Sequence, residues 1–143
     1  MFGIICAIIS GIAMSIQGVF NTRLGERIGV WETTLLVQII ALIVSLIVFF
    51  FFGDGNYTNL KEANKLYLFG GILGVVITFT VMKSVSSMGP TLGIGIILIS
   101  QLFTAAFIDA LGLFDSEKIK FSLNNFLGIA IMIVGIIIFK WNH

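Results

Sequence analysis

Charge is what this chain most lacks. Only 10% of its residues are Asp, Glu, Lys or Arg, where a soluble domain carries about 25%. That excludes an ordinary water-facing surface, and no polar stretch is long enough for a separate soluble domain. The formal net charge is +1, so there is no basic field for nucleic acid. The single cysteine, Cys6, excludes a disulfide framework; set in an apolar run, it reads as a small packing residue. The single histidine, His143, stands at the end of the sequence without partners. No spacing suits a metal, and there is no nucleophile constellation or phosphate loop. Neither an enzyme nor a cofactor is expected. Low-complexity tracts and clear internal repeats are also absent.

What is present is apolar. Hydrophobic residues make up 58% of the 143, and the mean hydropathy is +1.12. About 20 apolar residues cross a bilayer core of roughly 30 Å as a helix. Five runs meet that requirement, at 2–20, 33–52, 66–82, 91–114 and 123–139. Asn21, Arg23, Glu26 and Arg27 close the first, and Trp31 enters the second as an interfacial anchor. Gly53-Asp54-Gly55-Asn56 leaves the second and Lys83 ends the third. Gly89-Pro90 opens the fourth, proline being tolerated in a first helical turn. Each run must be helical, because an open strand would leave backbone groups unpaired in hydrocarbon. The expected fold is an all-α integral membrane protein, one five-helix domain over residues 1–143 with termini on opposite sides. No basic segment precedes Phe2 and the apolar run continues past Ala13-Met14-Ser15. The first run is therefore read as a mature span, not a cleaved signal.

The basic residues are divided evenly. Counting connections alternately, Lys61, Lys65, Lys118 and Lys120 fall on one side of the membrane, and Arg23, Arg27, Lys83 and Lys140 on the other. An excess of Lys and Arg in cytoplasmic loops is what orients membrane proteins, and here there is none. The expectation is a chain that inserts both ways up and pairs with its own inverted copy.

Polar side chains inside the runs are costly in lipid, so their positions carry information. Ser10, Met14, Gln17 and Asn21 recur at steps of four, three and four, which makes a narrow stripe on a helix turning about 100° per residue. The stripe either lines a solute path or bonds a neighbouring helix. Gln38 is read as bonding a neighbour and Lys83 as a snorkelling lysine. In the fourth run, Gln101 and Asp109 are about 80° apart around the helix, so both can face one cavity. Asp109 is the one carboxylate well inside an apolar run. It is either a proton-titrating or cation-contacting group, or an interfacial aspartate bonded to a neighbouring helix end. Gly70 with Gly74, Gly89 with Gly93, and Gly128 with Gly135 are spaced to let helices approach closely.

Three stretches resemble a known family. Gly11 to Gly25, containing Gln17 and Asn21, is similar to the first-span signature of the YdcZ-type bacterial inner-membrane proteins. Gly70-Gly71-Ile72-Leu73-Gly74 resembles their third span, and Gln101 through Asp109 to Leu113 their fourth. The resemblance implies membership of the drug/metabolite transporter superfamily and five-helix units working as antiparallel pairs that together make ten helices. It also carries over Gln17, Asn21, Gln101 and Asp109 as characteristic polar positions. Small multidrug relatives couple to protons through a glutamate in the first span. This chain has no carboxylate there, which moves attention to Asp109.

The expected function is secondary transport, with export the favoured direction, of a small polar or cationic solute by an inverted homodimer in the bacterial inner membrane. The bilayer, the solute and a second copy are the expected partners. Two alternatives stand beside it. One is a non-transporting accessory subunit whose first-span stripe packs dry against another helix. The other is one half of a heterodimer.

Overall fold

The computed structural model describes residues 1–119 and 122–141. Five helices account for nearly all of them: α1 (Phe2–Ile28), α2 (Val30–Phe52), α3 (Gly70–Met88), α4 (Pro90–Leu111) and α5 (Leu123–Trp141). All five are long and apolar enough to cross a membrane. Two short 3-10 turns, Tyr57–Lys61 and Lys65–Phe69, link α2 to α3. The side chains of Asn56 and Asn64 start these turns by accepting hydrogen bonds from the N–H groups of Thr58 and Leu66. The chain divides into two compact units, Met1–Ser86 and Ser87–His143.

The polar residues after Phe20 do not stop α1, which runs on through Asn21, Arg23, Glu26 and Arg27 to Ile28. At 1.5 Å per residue a helix of this length spans about 40 Å, more than the roughly 30 Å hydrocarbon core. Its polar last turns therefore have room at the membrane surface, where Arg23 pairs with Glu26 at 3.1 Å. What ends the helix is Gly29. Its φ of 104° is a conformation side chains rarely adopt, and a Cβ there would run into the Glu32 carboxylate. Gly29 donates to the Gly25 carbonyl at 3.0 Å and accepts from the Thr33 N–H at 3.1 Å. One residue thus closes α1 and opens α2. Gly89, with φ 81°, stands between α3 and α4 and accepts from the Gly93 N–H at 3.0 Å.

In the first unit α1 packs on α2, and α3 touches both. A Cβ added at Gly18 would lie 3.1 Å from Val81, and one at Gly25 3.3 Å from the Met82 sulfur. Trp31 stacks on Phe79 with ring centroids 4.6 Å apart, and Gln38 leans on Gly74. Met82, Val85, Asn21, Thr22, Thr33 and Thr34 are buried at this meeting point. In the second unit α4 packs on α5, with Gly95 against Ile136 and with Gly93 and Ile129 buried.

The close approaches therefore fall mainly at Gly18, Gly25 and Gly95, whereas Gly70, Gly128 and Gly135 meet nothing within 4 Å. Spacing identifies the small face of a helix, not the neighbour that comes to it. Most other large apolar side chains are exposed along the whole length of the helices, as a chain solvated by lipid requires.

Candidate functional site

Asp109 lies near the end of α4, and the connection after it is folded back over the helix. Gly112 adopts the left-handed conformation and caps the helix by donating to the Ile108 carbonyl. Phe114 and Asp115 are also left-handed, at φ 56° and 62°. The hydroxyl and N–H of Ser116 both donate to the Leu113 carbonyl, at 2.6 and 3.1 Å. The Ile119 N–H then donates to the backbone carbonyl of Asp109 itself, at 2.9 Å. This tie brings Ile119 beside Asp109. Because α5 returns antiparallel to α4, its first turn sets Asn124 and Asn125 on the same cavity as the Asp109 carboxyl.

That cavity has a volume of about 570 Å³. Its room comes from small residues on the facing helices, Ala105 and Ala106 on α4 and Gly128 on α5, while Leu102, Ile129 and Met132 give it apolar walls. The polar groups gather at one end. Among the described residues, no side-chain atom of Asp109, Asn124 or Asn125 enters a hydrogen bond or ion pair. An ionised carboxylate only accepts hydrogen bonds, whereas each amide both donates and accepts. The arrangement can hold a solute with a cationic or hydrogen-bonding head and a small apolar body. The hydroxyls of Ser15, Thr22, Thr34, Thr78, Ser100 and Thr104 do not compete for this role, because each bonds a carbonyl four residues back in its own helix.

The other residues singled out in the sequence lie elsewhere. Gln101 is on α4 but exposed, and does not line the Asp109 cavity. Ser10, Met14 and Gln17 are exposed on α1, while Asn21 is only 8% exposed. The stripe divides because α3 comes onto α1 around Gly18 and Gly25, and Asn21 sits between those contacts. The stripe belongs to the first unit and Asp109 to the second. Asn124 and Asn125 were not visible as site residues in the sequence. Two adjacent amides at the head of an apolar run look like a helix flank, and only the antiparallel return of α5 puts them opposite Asp109. Groups of three or more residues able to hold a metal ion do not occur among the described residues.

A family model described as "Putative inner membrane exporter, YdcZ" matches residues 2–138. No curated protein and no solved structure matches the chain.

Proposed function

The chain belongs to the YdcZ family of inner-membrane exporters, and from that premise we propose that it is a secondary transporter of small cationic or polar solutes, working as an inverted homodimer. It is a multi-pass protein of the inner membrane with a role in export. The observation that carries the solute class is the cavity lined by Asp109, Asn124 and Asn125 together with apolar walls. A carboxylate left without a protein partner in lipid is costly, and a cationic solute or a proton relieves that cost.

The inverted pair is supported by the even division of basic residues between the two sides. It is supported also by the exposure of Ser10, Met14 and Gln17, which leaves that part of α1 free to meet a second chain. Odd and even spans run in opposite directions, so inversion brings Gln17 and Asn21 of one copy to the depth of Asp109 in the other. In this reading each solute path is lined by Asp109, Asn124 and Asn125 of one chain and by Gln17 of its partner. The two copies exchange equivalent inward- and outward-facing states about an axis in the membrane plane.

Water access separates this reading from that of an accessory subunit. On a Cys6→Ser background, Gln17→Cys and Asn124→Cys should both react with a membrane-impermeant thiol reagent in proteoliposomes. Alkylammonium ions that are transported should slow the reaction at Asn124→Cys. If neither position reacts, the site is dry and transport through it is ruled out.

A further inference from the structure

We propose that the opposite end of the α4 and α5 pair is a binding site for an anionic phospholipid, one acyl chain lying in an apolar groove and the phosphate resting on Lys140. This proposal is independent of the Asp109 cavity and of the transport reading. The groove has a volume of about 690 Å³. Leu92, Ile96 and Ile99 of α4 form one wall and Ile133, Ile136 and Ile137 of α5 the other. From Leu92 to Ser100 it runs roughly 12 Å along α4, at 1.5 Å per residue. Its walls are mostly isoleucine, whose branched Cβ holds a fixed rotamer in a helix, so the groove keeps its shape. Gly95 brings Ile136 to contact across it.

The mouth differs in character from the walls. A second cavity of about 280 Å³ adjoins it and shares Met88, Leu92 and Lys140. Among the described residues, Lys140 is the one charged residue lining either cavity, and it has no ion-pair partner there. It lies in the last turn of α5, and the facing residues Met88 to Leu92 run from the end of α3 through Gly89 into the first turn of α4. Both mark the end of a span, at the depth where phosphates lie. A lysine there can run its methylene stem along the apolar wall and hold its ammonium at the headgroups.

Basic pockets between membrane helices recognise anionic lipid heads through this pairing of charge and depth. A polar solute is a poor fit, because the only other polar side chain lining the groove among the described residues, Ser100, bonds the Ile96 carbonyl at 2.9 Å. The charge at the mouth therefore selects the head, and the groove accepts a chain.

The test is titration of the purified full chain with phosphatidylglycerol and, separately, phosphatidylcholine, read by native mass spectrometry and thermal shift. Phosphatidylglycerol should bind at least tenfold more tightly than phosphatidylcholine. Lys140→Gln should remove that preference while leaving phosphatidylcholine binding in place, and Lys140→Arg should keep it. Ile96→Trp, which fills the groove, should weaken both lipids. Inorganic phosphate alone should give no shift. Equal binding of the two lipids, an unchanged preference in Lys140→Gln, or stabilisation by phosphate alone would overturn the proposal. So would cysteines at Ile96 and Ile137 crosslinking to a second copy in lipid-depleted protein but not protecting bound lipid, since a protein would then fill the groove.

Discussion

Asp109 and Thr33 are the two residues whose surroundings make the sharpest demands. Asp109 shares its cavity with two amides and no cation among the described residues. Replacing it with asparagine keeps the shape and removes the charge. If the carboxyl carries protons or meets the cationic solute, Asp109→Asn should abolish pH-driven transport in vesicles. The melting temperature should barely move, because no protein hydrogen bond is lost. Unchanged transport would make Asp109 a structural residue at a helix end. Thr33 poses a different problem. It is fully buried, and its hydroxyl has no hydrogen-bond partner among the described residues. An unsatisfied buried hydroxyl costs about 1–3 kcal/mol. Thr33→Val, which keeps the shape and removes the polar atom, should therefore raise stability by about 1 kcal/mol in thermal unfolding. A fall in stability would show that the hydroxyl has a partner in the assembled protein. Asp109 could be singled out from sequence because it interrupts an apolar run. Thr33 could not, because its burial depends on Met82 and Gly25 arriving from other helices.

Helices are the scale at which the sequence was most readable, since the bilayer imposes their length and leaves the backbone no alternative. Each of the five runs holds one of the five helices, but the ends were less legible. Asn21 to Arg27 look like a loop by composition, yet they form helical turns with an Arg23 to Glu26 pair. The true boundary is the φ of Gly29, a backbone property. Gly29→Val should therefore cost stability, on the order of 1–3 kcal/mol for backbone strain alone, because it must also displace Glu32. Gly95→Val tests the second unit in the same way. A Cβ at Gly95 would lie 3.0 Å from Ile136, so branching there should force α4 and α5 apart at a cost of about 1–3 kcal/mol. Gly128→Val faces open space and serves as the comparison. In a monomeric preparation it should be near neutral by thermal shift. The pairing of α4 with α5 was the part of the site hidden from the sequence: an apolar run states its length but not which face its neighbour covers.

At the scale of the whole molecule, one chain leaves Ser10, Met14 and Gln17 of α1 and most of its apolar side chains exposed. Lipid can cover the apolar surface without cost, but it cannot satisfy the Gln17 amide. A second, inverted chain can, and the equal division of basic residues removes the usual bias against inserting in both orientations. Cysteines at Gln17 and Asp109 should then crosslink between chains through a short bifunctional reagent, whereas parallel Gln17 to Gln17 links would contradict the arrangement. The most direct measurement is the orientation of the chain itself, read by paired reporters active only in the cytoplasm or only outside it, each fused after His143. The account requires both reporters to be active in the unmodified chain, and two or three lysines added between Gly53 and Lys65 to shift the population toward one orientation. Activity of only one reporter in the unmodified chain would contradict the inverted homodimer.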